Sequence, residues 1–86
     1  MVNKRYYWHS QENLETLQKL SANISILLSR SKTKKTTLAK ECGIKYNRLQ
    51  HYLNCSSVMP VLVLSKIAKY FHCSEEALLH GDFRII

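Results

Sequence analysis

The chain has 86 residues, 45% of them hydrophobic, with two glycines, one proline and a formal net charge of +7. That length suits a single domain with its own core, and the hydrophobic content argues against disorder over most of it. Cys42, Cys55 and Cys73 match no paired spacing, which argues against a secreted disulfide framework, and no apolar run is long enough to span a bilayer.

Scarce glycine and proline favour helices with tight connections over a turn-rich sheet protein. Residues 1–9 form a basic, aromatic arm without helical periodicity and without the apolar region of a signal peptide. Ser10 is a candidate cap for a first helix, with Glu12 in the first turn where the helix dipole favours negative charge. Leu14, Leu17, Leu20, Ile24, Leu27 and Leu28 recur at spacings of three and four, so this amphipathic helix runs to about Arg30. A second helix is expected from near Lys34 to Cys42, with Leu38, Ala39 and Cys42 inward. Gly43 comes next, where a left-handed backbone is cheapest for glycine, and Ile44 turns back to the core. A third helix is expected from Tyr46 to Leu53, with Leu49 and Tyr52 inward. Residues 54–60 read as a loop, with Pro60 in the first turn of a fourth helix whose apolar stripe is Val61, Leu64, Ile67, Ala68 and Phe71. Ser74, Glu75 and Glu76 begin a fifth helix that ends at His80 and Gly81. The tail, residues 82–86, has strand-like composition. The expected fold is all-α, a compact bundle of about five short helices, divided as arm 1–9, domain 10–81 and tail 82–86.

The charge is concentrated. Residues 30–48 hold seven basic side chains and one acidic one, which accounts for six of the net +7. Such a segment implies a polyanionic partner, nucleic acid first and an anionic membrane surface second, against the plain alternative of a solvated lysine-rich face. A membrane surface would need a free apolar face opposite the charge, and the apolar positions of each helix are committed to the core. No membrane partner is expected.

A short helix, a glycine turn and a second helix rich in polar side chains occupy this basic stretch. The order of elements resembles the phage repressor and Cro-like helix-turn-helix family, the lambda-repressor-like or XRE-type DNA-binding domain, over about residues 14–81. Leu38-Ala39, Gly43-Ile44 and Leu49 carry the resemblance. Asn54, the run from Leu64 to Phe71 and the run from Cys73 to Leu79 continue it. The chain departs from the pattern at Lys35, where glutamine is common, and at Leu53 and Cys55, where glutamate and glycine usually flank the asparagine.

On a helix over 46–53, Tyr46, Asn47, Gln50 and His51 share one polar face, free to meet base edges. A side-chain amide matches the donor and acceptor of adenine, His51 can donate to guanine, and Tyr46 can touch a thymine methyl or a phosphate. The resemblance places Tyr46, Asn47 and His51 at the usual base-reading positions. Lys34, Lys35, Lys40, Lys45, Arg48 and Asn54 are candidates for phosphate contacts, with the free amides at the start of the second helix beside them. The plain alternative is a solvated helix face.

Other clusters point less far. Lys4, Arg5, Tyr6, Tyr7 and Trp8 read either as an arm entering a minor groove or as a lid packed on the core or a partner. His51 and Cys55 stand four apart, but zinc needs about four convergent ligands, so neither a metal nor another cofactor is expected. No carboxylate pair or phosphate-cradling glycine loop suggests an enzyme. The resemblance implies a transcription regulator of phage or mobile-element type, a repressor on a double-stranded operator, working as a homodimer in the bacterial cytoplasm or an infected host. Dimer contacts are expected from the fifth helix, from the tail through Phe83, Ile85 and Ile86, or from the aromatic arm. The alternative is a protein-interaction module, an antitoxin or antirepressor, with the arm's aromatic residues as anchors to a regulatory protein partner.

Overall fold

A computed structural model describes residues 11–83, with side chains from residue 14 onward. Five helices occur in order among the described residues: α1 (Gln11–Ser31), α2 (Lys35–Glu41), α3 (Tyr46–Leu53), α4 (Val61–Tyr70) and α5 (Glu75–His80). The expected all-α bundle is therefore what the chain forms, and no strand occurs among the described residues. Ser10, the arm and residues 84–86 lie outside that range.

The apolar positions read from the sequence converge on one core. Ile24, Leu38, Leu49, Ile67 and Leu78 are fully buried, one from each helix in turn. Leu20, Leu28, Ala39, Cys42, Tyr52, Met59, Leu64 and Ala68 fill the space between them, with Leu27, Ile44 and Phe71 packed at its edge. Helix α1 lies along α5 and touches α3, α2 packs on α3, and α5 also meets α4.

The stripe of α4 corrects one expectation. Val61 is 72% exposed and Val63 is buried in its place, while Leu64 is buried as expected. Pro60 stands just before the helix with φ −62° and ψ 150°, not inside its first turn. The inward face therefore begins two residues later than the spacing implied, and Val61 and Leu62 project outward.

Polar groups tie the far ends of the chain together. Asn23, buried in α1, donates from Nδ2 to the carbonyls of Leu78 at 2.8 Å and Gly81 at 2.9 Å. Those carbonyls sit at the C-terminal end of α5, where a helix cannot satisfy them itself. Gly81 also donates to the Ala77 carbonyl at 2.8 Å, and a Cβ there would fall 2.5 Å from that oxygen. Ser21 binds the Leu53 carbonyl, so α1 closes α3 as well. Ser74 caps α5 as expected, its hydroxyl accepting from the Ala77 amide at 3.0 Å.

Helices α1 to α4 all end the same way. Lys32, Gly43, Cys55 and His72 have left-handed backbones, with φ of 54°, 70°, 60° and 57°. The next residue returns its amide to a carbonyl five residues back: Thr33 to Leu28, Ile44 to Ala39, Ser56 to His51 and Cys73 to Ala68. This is the Schellman closure, most often built with glycine. Glycine is used once here.

Candidate nucleic-acid interface

The DNA-reading candidates sit on α3 because its other side is committed to the core. At 3.6 residues per turn, buried Leu49, Tyr52 and Leu53 leave Asn47 and His51 on the opposite crest. Both are exposed. Tyr46 and Gln50 lie on one flank of that crest, where Gln50 Nε2 donates to the Tyr46 hydroxyl at 2.9 Å. Tyr46 is exposed and Gln50 is half-buried.

The other flank is different. A groove of about 480 Å³ runs between α3 and the loop after it, lined by Lys45, Asn47, Arg48, His51, Tyr52, Ser57, Val58 and Pro60. It brings together four of the expected contact residues, two cationic and two able to read base edges. Tyr46 and Gln50 face away from it, and Lys34, Lys35, Lys40 and Asn54 lie elsewhere on the exposed surface. Ser57, Val58 and Pro60 are additions that sequence reasoning missed. Their signal was available only as a loop of fixed length returning from α3 to a proline-started helix.

Local backbone chemistry favours an anion beside α3. Lys45 precedes the helix with φ −74° and ψ 145°, its side chain makes no capping hydrogen bond, and the first turn holds no acidic residue. The amides of Tyr46 and Asn47 therefore have no internal acceptor, that of Arg48 turns back to the Lys45 carbonyl at 3.0 Å, and the dipole end is positive. Lys34 stands in the same relation to α2. Turn geometry then fixes α3 against α2. Gly43 takes the left-handed position expected of it, and Lys66 Nζ, from α4, donates to the Cys42 carbonyl at 3.4 Å. A cation at that carbonyl complements the negative end of α2.

The candidate dimer contacts are only partly within view. Phe83 is half-buried and its carbonyl accepts from Arg30 of α1. Ile85 and Ile86, like Tyr6, Tyr7 and Trp8, lie outside the described residues. Among the described residues no group of three or more His, Cys, Asp or Glu could hold a metal ion, and no helix is long and apolar enough to cross a membrane. The thiols are free. Burial pushes Cys42, Cys55 and Cys73 up from their ordinary value, with Lys66 pulling Cys42 back and Glu41 adding a little.

Comparison with known proteins agrees with this geometry. Residues 23–80, more than half of the chain, match the family model described as the Cro/C1-type HTH DNA-binding domain. No curated protein and no solved structure matches the chain.

Proposed function

This chain belongs to the Cro/C1-type helix-turn-helix DNA-binding family, and from that premise we propose that it is a sequence-specific transcription regulator that lays α3 in the major groove. The observation that carries this reading is the crest of α3, where Asn47 and His51 stand exposed with Lys45 and Arg48 beside them. Tyr46, Asn47 and His51 form the base-reading surface, with Gln50 hydrogen-bonded to Tyr46 on the same helix, and Lys34, Lys35, Lys40, Lys45, Arg48 and Asn54 hold the phosphates on either side. The regulator is of phage or mobile-element type and acts as a repressor on a double-stranded operator.

A two-fold operator implies a homodimer, with half-sites about one helical turn, roughly 34 Å, apart. The tail supplies the contact through Phe83, Ile85 and Ile86. Truncation after Gly81 should lower the sedimentation coefficient, and an unchanged profile removes the tail from the interface. One observation favours a protein partner in addition: Val61 and Leu62 are adjacent aliphatic side chains 72% and 76% exposed.

Fluorescence-anisotropy titration tests the main reading. Labelled DNA from the upstream intergenic region is compared with scrambled DNA at two salt concentrations. Preference by roughly a thousandfold or more is the expected result. Equal, steeply salt-sensitive binding to both, repeated with a pool of random sequences, would reduce the interface to charge without readout.

A further inference from the structure

Within the DNA-reading surface proposed above, on which this inference rests, Gln50 stands apart. Asn47 and His51 are exposed, whereas Gln50 is half-buried. Its Nε2 is spent on the Tyr46 hydroxyl at 2.9 Å, and its Oε1 is buried with no hydrogen-bond partner among the described residues. A carboxamide carries one carbonyl acceptor and an NH₂ with two donors. Turned over, it would accept from Tyr46 and bury that NH₂ where one carbonyl now sits. Orphaned donors are the rarer outcome in folded proteins, and leaving two of them costs more than leaving one acceptor. The amide is thereby held with its N–H toward Tyr46.

That orientation decides what Tyr46 can do. A phenol accepts through its lone pairs and has a single proton to donate. Accepting from Gln50 leaves that proton free to point outward, and Tyr46 is 40% exposed. We propose that Gln50 is a positioning residue that presets the Tyr46 hydroxyl as a hydrogen-bond donor to an acceptor on DNA. The available acceptors are purine N7, guanine O6 and thymine O4 on base edges, and the phosphate oxygens. Gln50 does not read a base itself.

The experiment selects an operator from random duplex DNA with the full chain. Every single base-pair substitution of it is then titrated against wild type, Tyr46→Phe, Gln50→Met and the double variant. Tyr46→Phe keeps the ring, and Gln50→Met keeps the length and helix propensity of the side chain. Tyr46→Phe is expected to cost about three- to tenfold in affinity where the acceptor is a neutral base atom, and about ten- to a hundredfold where it is a phosphate oxygen. Gln50→Met should lose part of that affinity with the same pattern across the operator, yet cost nothing further in the Tyr46→Phe background. A merely structural role for Gln50 would still cost affinity there. A changed preference at one base pair assigns the acceptor to a base, and a uniform loss assigns it to a phosphate. Either pattern supports the proposal.

Three results overturn it. The first is Tyr46→Phe binding as wild type does. The second is a shift in preference by Gln50→Met at a base pair that Tyr46→Phe leaves alone. The third is further weakening of the Tyr46→Phe protein by Gln50→Met. Failure to select any operator with folded wild-type protein is a different result, which sinks the regulator reading and this inference with it.

Discussion

Asn23 and Gln50 carry the same functional group, and the fold treats them in opposite ways. Asn23 is buried in α1 with its amide nitrogen donating to two carbonyls at the end of α5. Gln50 lies on α3 with one donor used and its carbonyl left unpaired. Along the seam of α1 and α5, polar groups are consumed in holding the chain together. On α3, hydrogen-bonding capacity is left incomplete or turned outward. A scaffold saturates its polar groups because unmet ones cost stability, while α3 leaves Asn47, His51 and the Tyr46 side chain exposed.

Substitution along the seam gives the largest expected effect. Asn23→Ala leaves the Leu78 and Gly81 carbonyls without their donor and should cost about 3 kcal/mol in urea unfolding. A loss below about 1 kcal/mol would mean that apolar packing alone holds the seam, and the contrast with α3 would fail. Asn47→Ala sharpens the other side. It should leave the unfolding midpoint where it was and remove roughly 1–3 kcal/mol of discrimination between operator and random DNA. If the operator keeps its full advantage, the crest of α3 is not the reading edge.

The helix closures give smaller effects. Gly43→Ala meets only Lys66 Nζ, at 3.9 Å, so its expected cost is that of the left-handed backbone, about 1–2 kcal/mol. His72→Gly is the converse. His72 is exposed at φ 57°, and relief of that strain minus the entropy of glycine should add about 0.5 kcal/mol, read as a higher melting temperature.

The thiols set a pH limit on the scaffold. Their folded values are raised above the ordinary 9.0, chiefly by burial. The native state therefore holds protons that the unfolded chain gives up. Stability from this source is complete below 9.0 and falls as pH rises through 9.0 toward the folded values. Cys42→Ala should flatten the alkaline fall in urea midpoint, and an unchanged slope would assign it to other groups. The smallest effect belongs to single cations: Lys45→Ala should weaken binding to all sequences alike and lower the log–log salt slope by about one.

Periodicity made most of the scaffold legible. The spacing of Leu49, Tyr52 and their neighbours marked the third helix at the same bounds the structure shows, and Gly43 and Ser74 marked a turn and a cap by chemistry that acts within a few residues. Contacts between distant parts of the chain were not legible. Asn23 gave no local signal, because its partners lie 55 and 58 residues away. Val61 looked inward by spacing, but the chain leaves Pro60 at an angle that puts Val63 on the core side. The basic segment and the polar face of α3 could be read directly. The groove wall of Ser57, Val58 and Pro60 could not, since a loop's approach to a helix is set by tertiary packing. Cys55 was visible as a departure from a family glycine, and φ of 60° shows that the backbone keeps the glycine-like conformation all the same.

The repeated left-handed closures also bear on how fast this chain folds. Each joins residues only a few positions apart, so the turn that sets α3 against α2 forms at little cost in loop entropy. Lys32, Cys55 and His72 must nonetheless enter a backbone region that side-chain-bearing residues seldom visit while unfolded. Those three turns wait on a rare conformation, and the glycine turn between α2 and α3 does not. The turn that joins α2 to α3 is thus the least costly of the four closures to form.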